Sequence, residues 1–322
     1  MNLLITGVAG FIGYHLTKKL ANKKNYIFGI DNLSDYYDIN LKNKRIKELK
    51  KIPNFKFYKI DLLETKKINK IVKDYKIKYI IHLAAQAGVR YSIENPKIFF
   101  KSNLEGFFNL LEISRKNNLK HLLFASSSSV YGDSLNLPTK ENADTDKPLS
   151  FYAATKKSNE IMAYSYSNIY KLPLTSLRLF TVYGPFGRPD MALYTFISNI
   201  FKNKKNLVYN NGNHSRDFTY IEDVVDAITN LVLKPSKLKV PYQCFNIANG
   251  ISIRLSEFIK LIRNNIETKT IFVKTEKKQG DVKNTWADIN LLKQKINYKP
   301  KINIRDGVKN FVEWYKKYYN IK

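Results

Sequence analysis

Gly7, Gly10 and Gly13 punctuate the passage from an apolar strand, Asn2–Thr6, into an amphipathic helix, Phe11–Lys23. No other stretch constrains the fold as strongly. Glycine permits a tight turn, lets backbone approach an anion, and lets helix pack closely on strand. The helix that follows presents unpaired N–H groups at its start. The spacing is G-x-x-G-x-x-G rather than the commoner G-x-G-x-x-G, and three glycines alone can mark any βα turn. Asp31 adds to the pattern. It ends the next strand, Tyr26–Asp31, 18 residues after Gly13, where a carboxylate can bind adenosine ribose hydroxyls. An acid there favours NAD over NADP, whose 2′-phosphate would meet like charge. The plainer role of Asp31 is that of a turn residue before Asn32.

The alternation continues: helix Leu41–Lys51, strand Asn54–Asp61, helix Glu64–Tyr75, strand Tyr79–Leu83, helix Pro96–Asn117, strand His121–Ser126, helix Phe151–Tyr170 and strand Leu174–Phe180. This predicts an α/β fold, a Rossmann-type doubly wound parallel sheet covered on both faces. Beyond residue 182 the pattern loosens. Helices are expected at Met191–Lys202, Ile221–Leu233, Leu255–Asn265 and Arg305–Tyr318, with short strands near Leu207–Tyr209 and Gln243–Ile247. Residues 1–182 are thus expected to form an NAD-binding domain. Residues 183–322 would form a smaller mixed α/β substrate region, with some chain crossing back, over the carboxyl ends of the strands.

The net charge of +28, from 55 Lys+Arg against 27 Asp+Glu, raises nucleic acid or an anionic membrane as partners. The lysines are spread along the whole length, with no basic arm or single basic helix. That favours overall composition plus an anionic small substrate, so neither a nucleic-acid nor a membrane partner is expected. No run approaches the ~18 apolar residues needed to cross a bilayer, and the N-terminus lacks a signal peptide's charged and apolar segments. One cysteine, Cys244, excludes an internal disulfide and fits a reducing cytoplasm. His15, His82, His121 and His214 lack metal-ligand spacing, so structural histidines are expected and no metal.

Ala125-Ser126-Ser127-Ser128-Ser129-Val130-Tyr131-Gly132 follows the fifth strand. Serines at a strand end often only cap or turn; four in a row beside a cofactor edge would line a floor able to donate to and accept from a polyhydroxylated substrate. Tyr152 and Lys156 come next, four apart and so on one helix face. An ammonium beside a phenol favours the phenolate and lowers its pKa. With 22 tyrosines in a lysine-rich chain, such pairs also arise by chance. The order of glycine turn, serine cluster and Tyr-x-x-x-Lys argues for chemistry: a phenolate taking a hydroxyl proton while hydride leaves the same carbon. Asp61-Leu62 could meet an adenine edge or cap the next helix, two compatible roles. Leu83-Ala84-Ala85-Gln86 leaves room for a flat cofactor.

These features together resemble the extended short-chain dehydrogenase/reductase family over nearly the full length, and within it the nucleoside-diphosphate-uronate 4-epimerases, the UDP-glucuronate 4-epimerase group. The resemblance rests on Asp31–Asp38, His82–Ser92, Ser126–Gly132, Tyr152–Lys157, Phe180–Met191 and Arg216–Ile221. It implies a catalytic set of Tyr152 as acid/base, Lys156 on the nicotinamide ribose and tuning Tyr152, and Ser127 bridging Tyr152 to the sugar O4. It implies NAD contacts at Gly7, Gly10, Phe11, Ile12, Gly13, Asp31, Asn32, Asp61, Leu62, Leu83, Ala84, Ala85, Gln86, Asn103, Ser126, Tyr152 and Lys156. Ser128 and Thr181 would face the sugar carboxylate, with Ser129 beside them. Arg188 and Arg216 would face the diphosphate, and Arg90 would be a further anion partner. Related dehydratases carry acids after the hydroxyl residue; Ser128 and Ser129 stand there in this chain. Tyr14 departs from the small residue more usual after Gly13. The resemblance implies a UDP-sugar substrate and a homodimer, paired through the helices 96–117 and 151–170. A uronate decarboxylase, a neutral UDP-hexose 4-epimerase and a non-catalytic dinucleotide-binding protein are the alternatives.

Overall fold

A computed structural model describes residues 1–22, 24–266, 271–276, 280 and 282–321. In chain order its elements are β1 (Asn2–Thr6), α1 (Phe11–Leu20), β2 (Tyr26–Asp31), α2 (Ile39–Leu49), β3 (Phe55–Lys59), α3 (Thr65–Asp74), β4 (Tyr79–His82), α4 (Val89–Glu94), α5 (Pro96–Phe99), α6 (Gly106–Lys116) and β5 (His121–Ser127). There follow α7 (Phe151–Tyr170), β6 (Leu174–Leu179), β7 (Thr181–Tyr183), α8 (Ala192–Phe201), β8 (Asn206–Val208), β9 (Ser215–Tyr220), α9 (Ile221–Leu231), β10 (Tyr242–Ile247), β11 (Ser252–Arg254), α10 (Leu255–Asn264), β12 (Phe272–Lys274), α11 (Asn290–Ile296) and α12 (Ile304–Tyr319).

Among the described residues, seven parallel strands form one sheet in the order β10-β6-β5-β4-β1-β2-β3. The period-2 alternation of strands sorts its side chains. Leu4, Phe28, Ile80, Leu122 and Phe124 pack on one face with Phe107 and Leu110 of α6. Leu3, Ile5, Ile27, Ile81 and Leu123 pack on the other with Leu16 of α1 and Ile228 of α9. Burial on both faces is why β1 reads as a continuous apolar run. The strand order reverses between β1 and β4, and ligands of open α/β sheets bind at such a switch point.

Structure and sequence expectation can be compared at three places, the second of which includes the expected strands near 207–209 and 243–247. The helix expected over 96–117 is preceded by a separate turn of helix, α4, and is interrupted by a π-helical stretch, Phe100–Glu105. The interruption brings Asn103 inward, fully buried; π-bulges of this kind gather at functional sites. After residue 182, β10 returns to the main sheet beside β6. Strands β7, β9 and β11 form a small second sheet, and β8 pairs β12; β7, β11 and β12, three residues each, are too short to show an alternation in sequence. Helix α1 ends at Leu20; the expected last residue, Lys23, lies outside the described residues. No helix among the described residues is long and apolar enough to cross a membrane.

Candidate active site

A cleft of about 1010 Å³ opens at the carboxyl ends of β1, β2, β4 and β5, at the top of the roughly 300–1,000 Å³ range of ligand pockets. The glycine turn forms one wall. Gly7 has φ +77, and a Cβ there would stand 2.7 Å from the Ala84 amide nitrogen. A Cβ on Gly13 would fall 2.1 Å from the Gly7 carbonyl oxygen. Only glycine lets β1, β4 and the start of α1 come this close. Gly10 is the N-cap of α1, and no side chain caps the helix. The first amides of α1 are thus left for an external anion.

Asp31 accepts from the Ala9 amide at 3.0 Å and from the Leu33 amide at 2.8 Å. Burial pushes its carboxyl up, while those amides and the charges of Lys42 and Arg45 oppose the rise. Each carboxylate oxygen retains a second lone pair for a ribose hydroxyl. Asn32 donates to Asp61 at 2.8 Å, and Asp61 also accepts from the Leu63 amide at 3.0 Å. The N-cap of α3 is Glu64 rather than Asp61. Leu62, Leu83, Ala84, Ala85 and Gln86 continue the wall. This glycine cradle, uncapped helix start and terminal carboxylate fit a dinucleotide.

Asn103 stands off the cleft lining, and Ser126 lies on it. Asn103 lies behind the cleft, its amide engaged with the Gln86 backbone at 2.8 and 3.0 Å and with Thr155 Oγ1 at 3.0 Å. Ser126 lines the cleft, but its hydroxyl donates inward to Glu160 Oε1 at 2.6 Å. Glu160 also receives Ser176 Oγ at 3.1 Å and the Arg178 fork at 2.9 and 2.7 Å. Arg178 reaches Tyr131 OH at 2.9 Å. The end of β5 is held from beneath by this buried network, which Glu160 and Arg178 did not betray in sequence.

Ser127 caps the 3₁₀ turn Ser128–Tyr131, accepting from the Ser129 amide at 3.2 Å and donating to Ser129 Oγ at 3.2 Å, and it stands near enough to the Tyr152 phenol to favour its ionised form. Tyr152, Ser127, Ser128, Ser129 and Thr181 all line the cleft. Lys156 does so too, but its ammonium donates to the Ala125 carbonyl at 2.8 Å. The sequence expectation of a lowered phenol is overturned. Burial raises the Tyr152 phenol, against the lowering by Ser127 and the Arg188 charge. The Lys156 ammonium makes its hydrogen bond to backbone rather than to the phenol, and burial brings its own pKa down to about 8.

Arg188 lines the cleft with a forked pair to Asp190, Nε to Oδ1 at 3.0 Å, and Tyr36 OH donates to Asp190 at 3.2 Å. Burial pushes the Asp190 carboxyl up, but Arg188 outweighs it and holds it low. Arg216 borders the same cleft, bonded to the Ser215 carbonyl at 2.8 Å and the Val282 carbonyl at 2.8 Å. Arg90 lies 4.5 Å over the Tyr209 ring. Three histidines are satisfied internally: His82 with Thr6 Oγ1 at 2.8 Å, His121 with the Val232 carbonyl at 2.8 Å, and His15 with the Pro185 carbonyl at 2.8 Å. Burial keeps them neutral, down to about 3 for His82 and about 4 for His15 and His121. His214 lines the cleft.

Residues 4–311 match the family described as GDP-mannose 4,6 dehydratase. Among relatives, the chain is 46% identical over 333 residues to Protein CapI of Staphylococcus aureus, covering 99% of each. It is 42% identical over 314 residues to the UDP-glucuronate 4-epimerase of Thermodesulfobacterium geofontis, covering 97% of this chain and 95% of that one. The crystal structure of UDP-glucuronic acid 4-epimerase from Bacillus cereus, in complex with UDP-glucuronic acid and NAD, superposes with a TM-score of 0.93 at 30% identity, covering 99% of this chain and 100% of the other.

Proposed function

The chain belongs to the GDP-mannose 4,6-dehydratase family of extended short-chain dehydrogenases/reductases, and within it we propose that this protein interconverts UDP-glucuronate and UDP-galacturonate by NAD-dependent 4-epimerisation. The observation that carries the reading is the convergence of Tyr152, Ser127 and a floor of serines on one cleft that the glycine turn also lines. Among the described residues, the carboxylates bordering the cleft are Asp31, Asp61 and Asp190, and each is engaged elsewhere than beside Ser127. A floor of hydroxyls without an adjoining acid suits redox at the sugar C4 and does not supply the proton that elimination of water requires.

Bound NAD⁺ supplies the acceptor and then the donor of the C4 hydride. Gly7, Gly10 and the first turn of α1 would hold its diphosphate, Asp31 its adenosine ribose, and Lys156 its nicotinamide ribose. Tyr152 takes the O4 proton, with Ser127 bridging phenol and sugar, and the sugar becomes a 4-keto intermediate. Ser128 and Thr181 hold the C6 carboxylate. Arg188 and Arg216 anchor the diphosphate while the keto sugar turns over and offers its other face. Tyr152 then returns the proton. Positioning at the hydride-transfer step is worth on the order of 7–11 kcal/mol for a well-oriented pair.

The reading includes a homodimer in the cytoplasm. Ile93, Ile98, Phe100 and Phe108, together with Ile161 and Tyr164 of α7, expose apolar surface along the helices that would pair. The deciding experiment is NMR of products from UDP-glucuronate and purified protein with no added cofactor. Galacturonate supports the proposal; a pentose indicates the decarboxylase, and no reaction removes the uronate assignment.

A further inference from the structure

Helix α2 carries a buried cation that the chemistry above does not use. Arg45 is fully buried, and its guanidinium donates to four oxygens from three places in the chain: the Ala9 carbonyl at 2.7 Å, Tyr37 OH at 2.8 Å, and the carbonyls of Phe186 and Gly187 at 2.5 and 3.3 Å. Ala9 lies inside the glycine turn, and its amide is held from the opposite side by Asp31 at 3.0 Å. The Ala9 peptide is thus gripped at both ends, which fixes how the start of α1 faces the cleft.

Phe186 and Gly187 begin the segment that carries Arg188 and Asp190 into the cleft. That segment is unusual backbone. Phe186 has φ +56 and Gly184 φ +142, and a non-glycine residue holds such a conformation only where its surroundings fix it. Trp314 and Tyr318 of α12 hold the Phe186 ring from one side, at 5.1 and 5.9 Å, and the cofactor side of the molecule holds the segment from the other. The Phe186 ring lies 4.9 Å from Tyr14, and His15 bonds the Pro185 carbonyl at 2.8 Å. Tyr14, the bulky residue after Gly13, thereby fills the space between α1 and the segment instead of disturbing the turn.

We propose that Arg45 is a positioning residue that couples the two ligand sites. A single guanidinium sets both the turn that would meet the dinucleotide diphosphate and the segment that would meet the nucleotide sugar. Settling either segment into its bound arrangement settles the other, so each ligand tightens the other's binding, and by the same factor. A lysine cannot replace it, because an ammonium is a point donor and does not span carbonyls on opposite sides as a planar fork does. The identities of the two ligands rest on the epimerase reading; the coupling does not depend on which sugar is turned over.

The test uses the full chain stripped of nucleotide. NAD affinity is measured by calorimetry with and without saturating UDP, for the wild type, Arg45→Lys and Tyr37→Phe. UDP is expected to tighten NAD binding in the wild type by on the order of 5- to 150-fold. Arg45→Lys is expected to reduce that factor to within about twofold of unity, while Tyr37→Phe, which leaves all three carbonyl contacts, keeps it. A wild type with no factor, or Arg45→Lys with the wild-type factor, overturns the proposal. Should Arg45→Lys fail to fold, amide exchange of the wild type decides. NAD alone must slow exchange across 184–191, and unchanged exchange there sinks the coupling. Because UDP lacks the sugar, a wrong uronate assignment would leave these outcomes untouched and surface only in the product NMR.

Discussion

Lys156 stands with its ammonium 6.0 Å from the centre of the Tyr152 ring and spends a hydrogen bond on the Ala125 carbonyl, 2.8 Å away. The four-residue spacing delivers both side chains to one face of α7, as expected. It does not bring the ammonium's hydrogen bond to the phenol. What lowers the phenol in this arrangement is Ser127 and Arg188, and burial outweighs them. The base therefore depends on the serine floor and on the 184–191 segment as much as on its own helix.

Tyr152→Phe removes one oxygen and leaves the ring against Phe99, 6.1 Å away. Turnover of UDP-glucuronate is expected to fall by at least ~100-fold, the low end of general acid–base help. NAD content, read by absorbance after denaturation, is expected to stay unchanged. Near-normal turnover would remove Tyr152 from its role.

Thr181→Ala bears on a hazard of the proposed route. The 4-keto uronate is a β-keto acid, and it loses CO₂ when its C5–C6 bond overlaps the carbonyl π system. Thr181, on β7, lines the same cleft as the serine floor, where its hydroxyl can hold the carboxylate near the ring plane and keep overlap poor. The variant is expected to raise the pentose by-product, measured by chromatography of the nucleotide sugars. An unchanged product ratio would count against this use of Thr181.

Much of this could be read from residues alone, and what could not has physical reasons. Strands β1 and β2 and helix α7 begin and end as expected because continuous apolar runs bounded by polar residues mark the two strands and Ser150 opens the helix as its N-cap. Strand β9 escaped notice. It is half polar, Ser-Arg-Asp-Phe-Thr-Tyr, and it buries Asp217, whose carboxylate accepts from the amides of Asn249, Gly250 and Ala287. Arg45 escaped for a different reason. Amid Leu41-Lys42-Asn43-Lys44-Arg45-Ile46-Lys47, a buried arginine looks like one more solvated charge. Its carbonyl partners at 186 and 187 are far off in sequence, and backbone oxygens leave no trace in composition. Asp190 and Tyr36 were missed likewise, since a cross-cleft contact has no periodicity.

His121→Gln tests the acid limb of stability. His15, His82 and His121 are buried neutral, with folded pKa values depressed to about 4, 3 and 4. Between those values and the unfolded value of about 6.5, the unfolded chain binds more protons, so stability rises with pH. It is fully present above ~6.5 and is lost as pH falls toward 4. Three such groups give a slope of roughly 4 kcal/mol per pH unit in that window, at about 1.4 per proton. Gln keeps a donor for the Val232 carbonyl and does not titrate. Urea denaturation from pH 7 to 4.5 should then show a slope shallower by one proton. A slope identical to wild type would mean that His121 is protonated in the fold.

Glu160→Gln probes the network beneath the serine floor. Glu160 and Arg178 form a forked pair with side chains 5% and 7% exposed, so neither charge has water to fall back on. Removing one charge of a buried pair costs about 3–5 kcal/mol, because the other is left uncompensated. Glu160→Gln is therefore expected to lower the unfolding free energy by about that much. Arg178→Met added to it should restore part of the loss, since the stranded cation is gone. The functional consequence runs through Ser126. Its hydroxyl rests on Glu160 Oε1 at 2.6 Å, one residue before Ser127 of the cleft floor. The double variant, refolded and stable, should still turn over more slowly than wild type, with KM for UDP-glucuronate changed less than kcat. A double variant with wild-type kcat would show that the floor keeps its shape without support from beneath.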